Sequence, residues 1–222
     1  MTEALPNWKR VLVVVAHPDD ESFGLGAVIA RLVDDGAEVS VLCLTAGEAS
    51  TLGASPDLAE IRAAELDAAA SALGCRTTAL RTHPDGGLPG REAALIDDIE
   101  VAVDTARPDG LLVFAVEGGV TGHPDHEAAS RAALAVAGER GLPALEWGLP
   151  DEVAAVLRSE FGAGFTGHAA DALPIVIDVD RARQIQAAHL HVTQAIPGSV
   201  LWRRLELLGT REYLRLTQPD GR

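Results

Sequence analysis

The chain has 222 residues, of which 47% are hydrophobic and 23% charged, and its formal net charge is −15. This composition is typical of a globular domain with a sizeable core, and we expect residues 1–222 to form a single domain. The acidic excess argues against nucleic acid or an anionic membrane as the main partner, because phosphate groups attract a basic face.

The N-terminal segment has no signal-peptide pattern, because its short apolar run leads directly into HPDDE. No stretch approaches the ~20 consecutive apolar residues of a membrane span. The two cysteines, Cys43 and Cys75, match no zinc-binding spacing, and we interpret them as buried free thiols. These features together predict a cytoplasmic location and no membrane partner.

The first 140 residues alternate between strand and helix patterns. Short continuous apolar runs predict buried strands, and apolar residues spaced three and four apart predict helices. The alternation predicts an α/β, Rossmann-like fold: a mostly parallel sheet of order 3-2-1-4-5, with additional C-terminal strands, flanked by helices. The predicted strands cover residues 11–16, 39–44, 76–80 and 111–116, and the predicted helices run from residue 25 to near 36, over 66–73, over 95–106, and from about residue 127.

The last third of the sequence is less regular. Residues 139–173 contain glycine, proline and scattered aromatic residues, and no element is predicted there. Further patterns predict a strand at 175–179, a helix at 181–194 and a strand at 212–216. We expect the irregular segment and the loop before Leu201 to form the walls of a substrate site.

Two groups of ionisable residues follow the first and fourth predicted strands. AHPDDE (residues 16–21) ends the first strand, and GHPDHE (residues 122–127) follows the fourth. In a sheet of this order, ligands bind at the carboxyl ends of the strands where the order reverses, between strands 1 and 4. His17, Asp20 and one histidine of the second group would then form a His₂Asp set with a coordination position open for water, as in catalytic zinc sites. A cation would also offset the repulsion among the neighbouring carboxylates.

Each group alone has a simpler interpretation. Asp19 or Asp20 could cap the helix that follows, and His123 and His126 could be polar residues of a surface loop. The two groups together, each at the end of a strand predicted to be adjacent to the other, favour a metal site. A His₂Asp set accepts iron or cobalt as well as zinc.

The motifs in order resemble those of the PIG-L/LmbE-like family. The similarity covers residues 9 to about 130 and resumes weakly at HVTQ (191–194) and REYLRL (211–216). Members of this family are zinc-dependent N-deacetylases that act mainly on N-acetylglucosamine-type substrates. The resemblance rests on AHPDDE, Gly24 and Gly26, LTAGE (44–48), RAAE (62–65), Asp85-Gly86 and HPDH (123–126).

The resemblance implies a role for each residue of the two groups. It implies His17, Asp20 and His126 as ligands of Zn²⁺, which lowers the pKa of a bound water to ~7, and Asp19 as the general base. It implies that His123 stabilises the oxyanion or protonates the leaving amine, which departs poorly without a proton.

Two further assignments have structural alternatives. Asp125 could hold and protonate the His123 ring, or it could be a turn or cap residue. Arg62 resembles a family arginine near the base and the substrate, or it forms a surface pair with Glu65.

Several other positions stay open. Thr121 and Gly122 stand where some relatives have a tyrosine that donates to the oxyanion, so this donor is absent or comes from elsewhere. His191 lines the site or is structural, and Asp85 is interpreted as a turn residue near the rim of the pocket.

We predict a metal-dependent hydrolase that removes an N-acetyl or other N-acyl group from a small amino-sugar-type substrate. An alternative retains the metal but changes the substrate to a larger sugar or thiol conjugate or a secondary metabolite. A dinucleotide-binding module is disfavoured, because FGLGAVIA (23–30) lacks the third glycine and follows acidic residues. A purely metal-binding protein is disfavoured because it needs no spare base at Asp19. Relatives that act on glycolipids carry a membrane anchor. Relatives also often assemble as homo-oligomers, and the resemblance leaves the oligomeric state of this chain open.

Overall fold

The computed structural model describes residues 4–219, in which strands and helices alternate along the chain. The strands are β1 (Arg10–Val15), β2 (Glu38–Thr45), β3 (Thr77–His83), β4 (Gly110–Phe114), β5 (Ala144–Pro150), β6 (Gly167–His168), β7 (Ile175–Asp178) and β8 (Arg211–Thr217). The α-helices are α1 (Gly26–Asp34), α2 (Leu58–Leu73), α3 (Glu92–Ala106), α4 (Pro124–Arg140), α5 (Asp151–Phe161), α6 (Ala182–Leu190) and α7 (Val200–Leu208). A π-helical turn covers Asp20–Gly24, and a 3₁₀ turn covers Glu117–Gly119.

The strands form a mixed sheet of order β3-β2-β1-β4-β5-β8-β7, with the short β6 paired to the end of β5. The five strands from β3 to β5 are parallel, whereas β8 runs antiparallel to both β5 and β7. The predicted Rossmann-like order is therefore confirmed, and the later strands extend the sheet at the β5 edge.

The sheet is covered on both faces, and β1 shows why its sequence is a continuous apolar run. Val11, Val13 and Val15 pack into a core with α1 and α2. Leu12 and Val14 point to the opposite face and pack with α3 and α4. A strand that is buried on both faces has no position for a polar side chain, so the usual alternation of apolar and polar residues is absent.

Four elements lie where no element was predicted. β5, α5 and the short β6 occupy part of the segment 139–173, and α7 begins at Val200, at the end of the loop expected before Leu201. Glu146 interrupts the apolar pattern of β5, yet it is 2% exposed because Arg215 and Thr217 of β8 bind its carboxylate. The compensating partners are about 70 positions away in sequence, so local periodicity could not indicate a strand here.

The sheet order places the two ionisable groups side by side. β1 and β4 are adjacent parallel strands, with Val13 opposite Leu112, so their carboxyl ends open onto the same edge. The loop after β1 carries His17 and Asp20, and the loop after β4 leads into α4, which carries His126. Within residues 4–219, no helix is both long enough and apolar enough to cross a bilayer.

Candidate metal centre and active site

The chain turns sharply after β1, and the turn holds an unusual backbone conformation. Asp19 has φ 119° and ψ −24°, in a region that non-glycine residues rarely adopt. Its N–H donates to the Glu21 carboxylate at 3.0 Å, and its carbonyl accepts from the N–H groups of Ser22 and Phe23. The N–H of Leu25 donates to the carbonyl of Asp20 at 3.1 Å, which closes the π-helical turn. Strained backbone and single π-turns both concentrate at functional sites, because such conformations persist only where surrounding contacts hold them.

The loop after β4 is held equally tightly. Val120, a fully buried β-branched residue, has φ 64°, and Gly119 has φ 53°. A Cβ on Gly119 would lie 2.5 Å from the Cβ of His126, so only glycine fits there. His123 is the N-cap of α4 and Pro124 its first residue, which places His126 on the first helical turn.

Three side chains from these loops bring donor atoms together. The Nδ1 of His17 lies 3.1 Å from the Nε2 of His126. The carboxylate of Asp20 lies 3.6 Å from His17 Nδ1 and 3.2 Å from His126 Nε2. Ligand atoms on a tetrahedral zinc ion, with bonds of about 2.0–2.1 Å, are about 3.3 Å apart. The spacing of these donors therefore fits one divalent transition-metal ion.

The outer nitrogen of each histidine has a partner that fixes the ring. His126 Nδ1 lies 2.7 Å from the Thr121 hydroxyl and 3.3 Å from the Gly119 carbonyl. His17 Nε2 lies 3.0 Å from a carboxylate oxygen of Asp85 and 3.3 Å from one of Asp125. Metal-binding histidines commonly donate their second N–H to a carboxylate or carbonyl, which directs the other lone pair toward the metal. These contacts are a second observation that fits a metal at the centre of the cluster.

The carboxylate of Asp125 does not hold the His123 ring, which was one of the two interpretations of this residue. It is fully buried, contacts His17, and accepts backbone N–H groups from Gly86 and Leu88 at 2.8 and 3.1 Å. Only the backbone N–H of Asp125 contacts His123, donating to its Nδ1 at 3.2 Å. The carboxylate of Asp125 therefore helps to orient the ring of His17, and it shares that contact with Asp85.

Asp85 was interpreted as a turn residue at the rim, and its contact with His17 was missed. Together with His17 and Asp125 it forms another group of potential ligand atoms within 4.8 Å of one another. Because both oxygens of Asp125 already accept backbone N–H groups, this group is better suited to position His17 than to hold a metal. The motif DG gave no signal of this, since the contact depends on how residues 84–88 fold over the site.

The electrostatics of the centre reflect its acidic surroundings. Burial opposes a charge on His17, but hydrogen bonds to Asp125 and Asp20 hold its pKa well above the ordinary value. Burial likewise opposes the Asp20 carboxylate, but the charge of His126 holds the pKa of Asp20 well below its usual range. Positive charge is therefore favoured at the point where the three donor atoms meet.

Asp19 and His123 flank the centre. Burial raises the pKa of Asp19 to about 6, although the Arg62 guanidinium opposes this and Asp20 adds to it. Burial and the neighbouring histidines lower the pKa of His123. The His123 ring stacks on His126 at 5.1 Å and meets His17 edge-on at 4.6 Å. Both predicted catalytic side chains thus lie against the ligand cluster.

Arg62 supports the loop that carries Asp19. It is 3% exposed and donates to the carbonyl of Gly47 at 2.7 Å, to the carbonyl of Pro18, and to the carboxylate of Asp19 at 3.2 Å. The alternative surface pair with Glu65 does not form, since Glu65 accepts from Thr193 instead. Arg62 lines the cavity, and its contacts are to Gly47 and to the loop that carries Asp19, so its expected role in substrate binding stays a prediction.

His191, whose role was left open, lies behind the site. Its Nε2 is 2.6 Å from the carboxylate of Glu21, and both side chains are fully buried. Because Glu21 also accepts from the N–H of Asp19, this pair connects the end of α6 to the strained turn. His191 is therefore part of the support of the turn.

The cluster opens into a cavity of about 460 Å³, within the range that holds small ligands. His17, Asp19, Asp20, His123, His126 and Arg62 all line it, so the predicted metal ligands, base and oxyanion residue face one space. Among the lining residues that sequence reasoning missed is a second arginine, Arg204 on α7.

Comparisons with known proteins place this arrangement in a family. The chain matches the PIG-L family, described as GlcNAc-PI de-N-acetylase, over residues 12–137. The 1D-myo-inositol 2-acetamido-2-deoxy-α-D-glucopyranoside deacetylase of Kineococcus radiotolerans is 38% identical over 174 residues, which cover 62% of this chain and 48% of that protein. The protein of the same name from Rhodococcus erythropolis is 31% identical over an alignment of 249 positions, and the alignment covers 86% of this chain and 84% of that one.

The crystal structure of the A40926 pseudoaglycone deacetylase is similar to this chain with a TM-score of 0.74 and 26% identity, covering 96% of this chain and 99% of that one. This chain thus spans about half the length of the Kineococcus relative and most of the other two proteins. All three are named deacetylases, enzymes that hydrolyse an amide bond, which confirms the predicted kind of enzyme. The matched segment contains both ionisable loops, and the chain belongs to the PIG-L family of de-N-acetylases.

Proposed function

We propose that this chain is a zinc-dependent N-deacetylase that acts on a small amino sugar of the N-acetylglucosamine type. The observation that carries the proposal is the set of donor atoms on His17, Asp20 and His126, which lie 3.1–3.6 Å apart beside the Asp19 carboxylate. The names of the two inositol-glucopyranoside relatives, which specify a 2-acetamido sugar, support this substrate class.

His17, Asp20 and His126 would hold the metal, and the mixed nitrogen and oxygen donors suit zinc. When bound, zinc supplies a Lewis acid and makes a water molecule acidic enough to become a nucleophile near neutral pH. The fixed outer nitrogens of the two histidines keep the three donors in place before any ligand arrives.

Asp19 is suited to act as the general base. Its carboxylate lines the cavity next to the Asp20 ligand, and the Arg62 contact at 3.2 Å fixes its direction. A carboxylate in this position takes a proton from the attacking water and can return that proton to the leaving amine.

His123 is suited to donate a hydrogen bond to the oxyanion. Its Nδ1 accepts from the N–H of Asp125, so in the neutral ring the proton is on Nε2. A neutral ring is a hydrogen-bond donor to a developing negative charge, and the lowered pKa of His123 favours that form. The geometry thus supports the oxyanion role of His123 more directly than the general-acid role.

The decisive test is Asp19→Asn, because asparagine also tolerates the left-handed backbone at this position while removing the base. We expect the rate of acetate release from an N-acetylglucosamine conjugate to fall about 10²–10⁴-fold, with about one zinc still bound per chain. Asp35→Asn, an exposed position after α1, is the matched control and should leave the rate unchanged. A normal rate in Asp19→Asn would refute the assigned mechanism.

A second candidate is deacylation of a larger conjugate or a secondary metabolite. The similarity to the A40926 pseudoaglycone deacetylase over nearly the whole chain favours it. The two candidates differ in acyl preference and in the size of the group that carries the amine. Steady-state kinetics on one amino sugar with acetyl and longer acyl groups would separate them.

We also propose a cytoplasmic location and a single catalytic domain, with no nucleic-acid or membrane partner; assembly as a homo-oligomer stays open. The free thiols of Cys43 and Cys75 and the net charge of −15 support the location and the partner class. Sedimentation of the purified chain would test the assembly.

A further inference from the structure

Arg204 is a buried cation, and two of its nitrogen atoms have no hydrogen-bond partner. It lies on α7, is 1% exposed, and lines the same cavity as the metal-ligand cluster. Within residues 4–219, its Nε and Nη2 atoms are buried and donate to no acceptor of the protein. Burial of a polar group without a hydrogen bond destabilises a protein, and burial of a charge does so more strongly. A guanidinium in this state therefore requires an explanation.

Arg203, the residue before Arg204, shows how an arginine on this helix is usually paired. Arg203 is on the solvent side of the same helix, where it pairs with Glu160 at 2.8 Å and with Glu206 at 2.7 Å. The two arginines are chemically identical and adjacent, yet only Arg203 has carboxylate partners within salt-bridge distance in the described part of the chain. Arg204 thus differs from its neighbour in its surroundings and not in its chemistry.

The buried carboxylate that acts most on Arg204 is already engaged elsewhere. Glu212 accepts a hydrogen bond from the indole N–H of Trp147 at 2.6 Å, and its other oxygen pairs with Arg181. Burial lowers the pKa of Arg204 to about 10, against the opposing charges of Glu212 and Asp20, so the guanidinium remains protonated at neutral pH. Arg204 is thus a permanent positive charge with free donors at the wall of the cavity.

Arg204 packs against a row of aromatic rings that begins at His126. Phe114 packs against His126 at 5.1 Å and against Trp147 at 5.3 Å, and the guanidinium lies over Trp147 at 5.4 Å. The guanidinium and the metal-ligand cluster line one cavity, so a single ligand bound there could contact both.

We propose that Arg204 forms an anion-binding subsite of this cavity that recognises a carboxylate or phosphate group of the substrate. The planar guanidinium offers paired donors that match both kinds of oxyanion. This inference rests on the proposed function, because it takes the ligand of the cavity to be the substrate of a deacetylase. It narrows the substrate class to anionic N-acylated amino sugars. The anion supplies the hydrogen bonds that the protein itself does not provide.

The first test measures anion binding without any catalytic readout. Calorimetric titration with inorganic phosphate and with succinate would compare the full chain with its Arg204→Met and Arg203→Met variants. We expect at least one of these anions to bind, with affinity reduced about tenfold or more in Arg204→Met and unchanged in Arg203→Met. Equal affinities in the two variants, or no binding of either anion to the unmodified chain, would overturn the subsite.

The second test uses substrates that differ only in charge. N-acetylglucosamine, its 6-phosphate and its 3-O-lactyl ether provide neutral, phosphate and carboxylate forms of one acetamide. We expect Arg204→Met to lower kcat/KM for the preferred anionic form about 10–100-fold, mainly through KM, and to lower it much less for the neutral form. An equal loss on all three forms would show a general role for Arg204 and contradict the subsite.

The two tests separate the subsite from the proposed reaction. Loss of anion binding in Arg204→Met, without hydrolysis of any acetamide by the unmodified chain, would retain the subsite and reject the deacetylase. Acetamide hydrolysis with no dependence of charge preference on Arg204 would retain the deacetylase and reject the subsite. A thermal melt checks the fold, and Arg204→Met should not lower the midpoint because methionine removes an unpaired buried charge at similar volume.

Discussion

The side chain of Thr121 contacts the ring of His126, one of the proposed metal ligands. Its hydroxyl lies 2.7 Å from Nδ1 of His126, and it also accepts from the N–H of His123 at 3.3 Å. Thr121 stands where some relatives carry a tyrosine, so in this chain the position contributes an orienting hydroxyl. The hydroxyl and the Gly119 carbonyl together define which nitrogen of His126 faces the centre.

Replacement of Thr121 by valine keeps the shape of the side chain and removes the hydroxyl. We expect the affinity for zinc to fall about 10–100-fold, because the ring of His126 loses one of the groups that hold it. Competition with a chromogenic chelator would measure the affinity. Thr121→Ser retains the hydroxyl and should restore most of the affinity, and a valine variant with normal affinity would show that the contact is incidental.

The proposed metal ligands could be selected from the sequence, but the residues that contact and position them could not. His17 and Asp20 are three positions apart on one turn, so their convergence follows from the motif and the strand order. Asp85 and Asp125 contact His17 only because the backbone of residues 86–88 folds over Asp125 and donates to it. Spacing along the chain carries no information about such a contact.

The sequence indicates the burial of Arg204, but only after residues 200–208 have been identified as a helix. Leu201, Leu205 and Leu208 lie at i, i+4 and i+7 on one face of α7, and Arg204 lies on that face at i+3. Arg203 lies off it. Once residues 200–208 are known to be helical, the periodicity selects Arg204 as the inward arginine.

At the scale of elements, the π-helical turn and α6 depend on each other. Glu21 in the turn and His191 at the end of α6 form a fully buried pair at 2.6 Å. Glu21 also accepts from the hydroxyl of Ser22 at 2.5 Å and from the N–H of Asp19 at 3.0 Å. The carboxylate is therefore the common acceptor of the strained turn and the helix behind it.

We expect Glu21→Ala to lower the free energy of unfolding by about 3–5 kcal/mol, because it leaves a buried histidine and a buried N–H without their acceptor. Urea denaturation with a zinc-free sample would measure the change. Asp35→Ala breaks the exposed pair with Arg31 at 2.9 Å and is the matched comparison, for which we expect less than about 1 kcal/mol. Equal effects of the two substitutions would show that the buried pair has no special structural role.

Strands that are covered on both faces could be predicted from the sequence. Elements whose buried polar residues have partners far away in the chain could not. The strands β1, β2 and β4 are short apolar runs that need no other information. β5 contains Glu146, which becomes compatible with a strand only when Arg215 and Thr217 of β8 reach it. The helix predicted at residues 181–194 ends earlier, at Leu190, where His191 leaves the helix to meet Glu21.

At the scale of the whole molecule, bound metal should stabilise the fold. His17, Asp20, Asp85 and Asp125 are held together in one buried region, and a cation reduces the repulsion among the carboxylates. At zinc concentrations about a hundredfold above the dissociation constant, the gain is about 2.7 kcal/mol.

Removal of the metal with a chelator should therefore lower the midpoint of thermal unfolding by roughly 5–10 °C, and added zinc should restore it. Differential scanning calorimetry would record both changes. The same treatment of His126→Ala should have little effect, because that variant lacks one of the three donors. A full response to zinc in His126→Ala would remove His126 from the ligand set.

At the far edge of the sheet, the order of the strands in space differs from their order in the chain, and this affects how the protein is made. β8 is synthesised after β7, yet it lies between β7 and β5. On a ribosome, β7 emerges before its partner strand, so its native pairing must wait until residues 211–217 have left the exit tunnel. The half of the sheet that carries the histidines can assemble earlier, so maturation of this protein has an early stage at the loops and a late stage at the far edge.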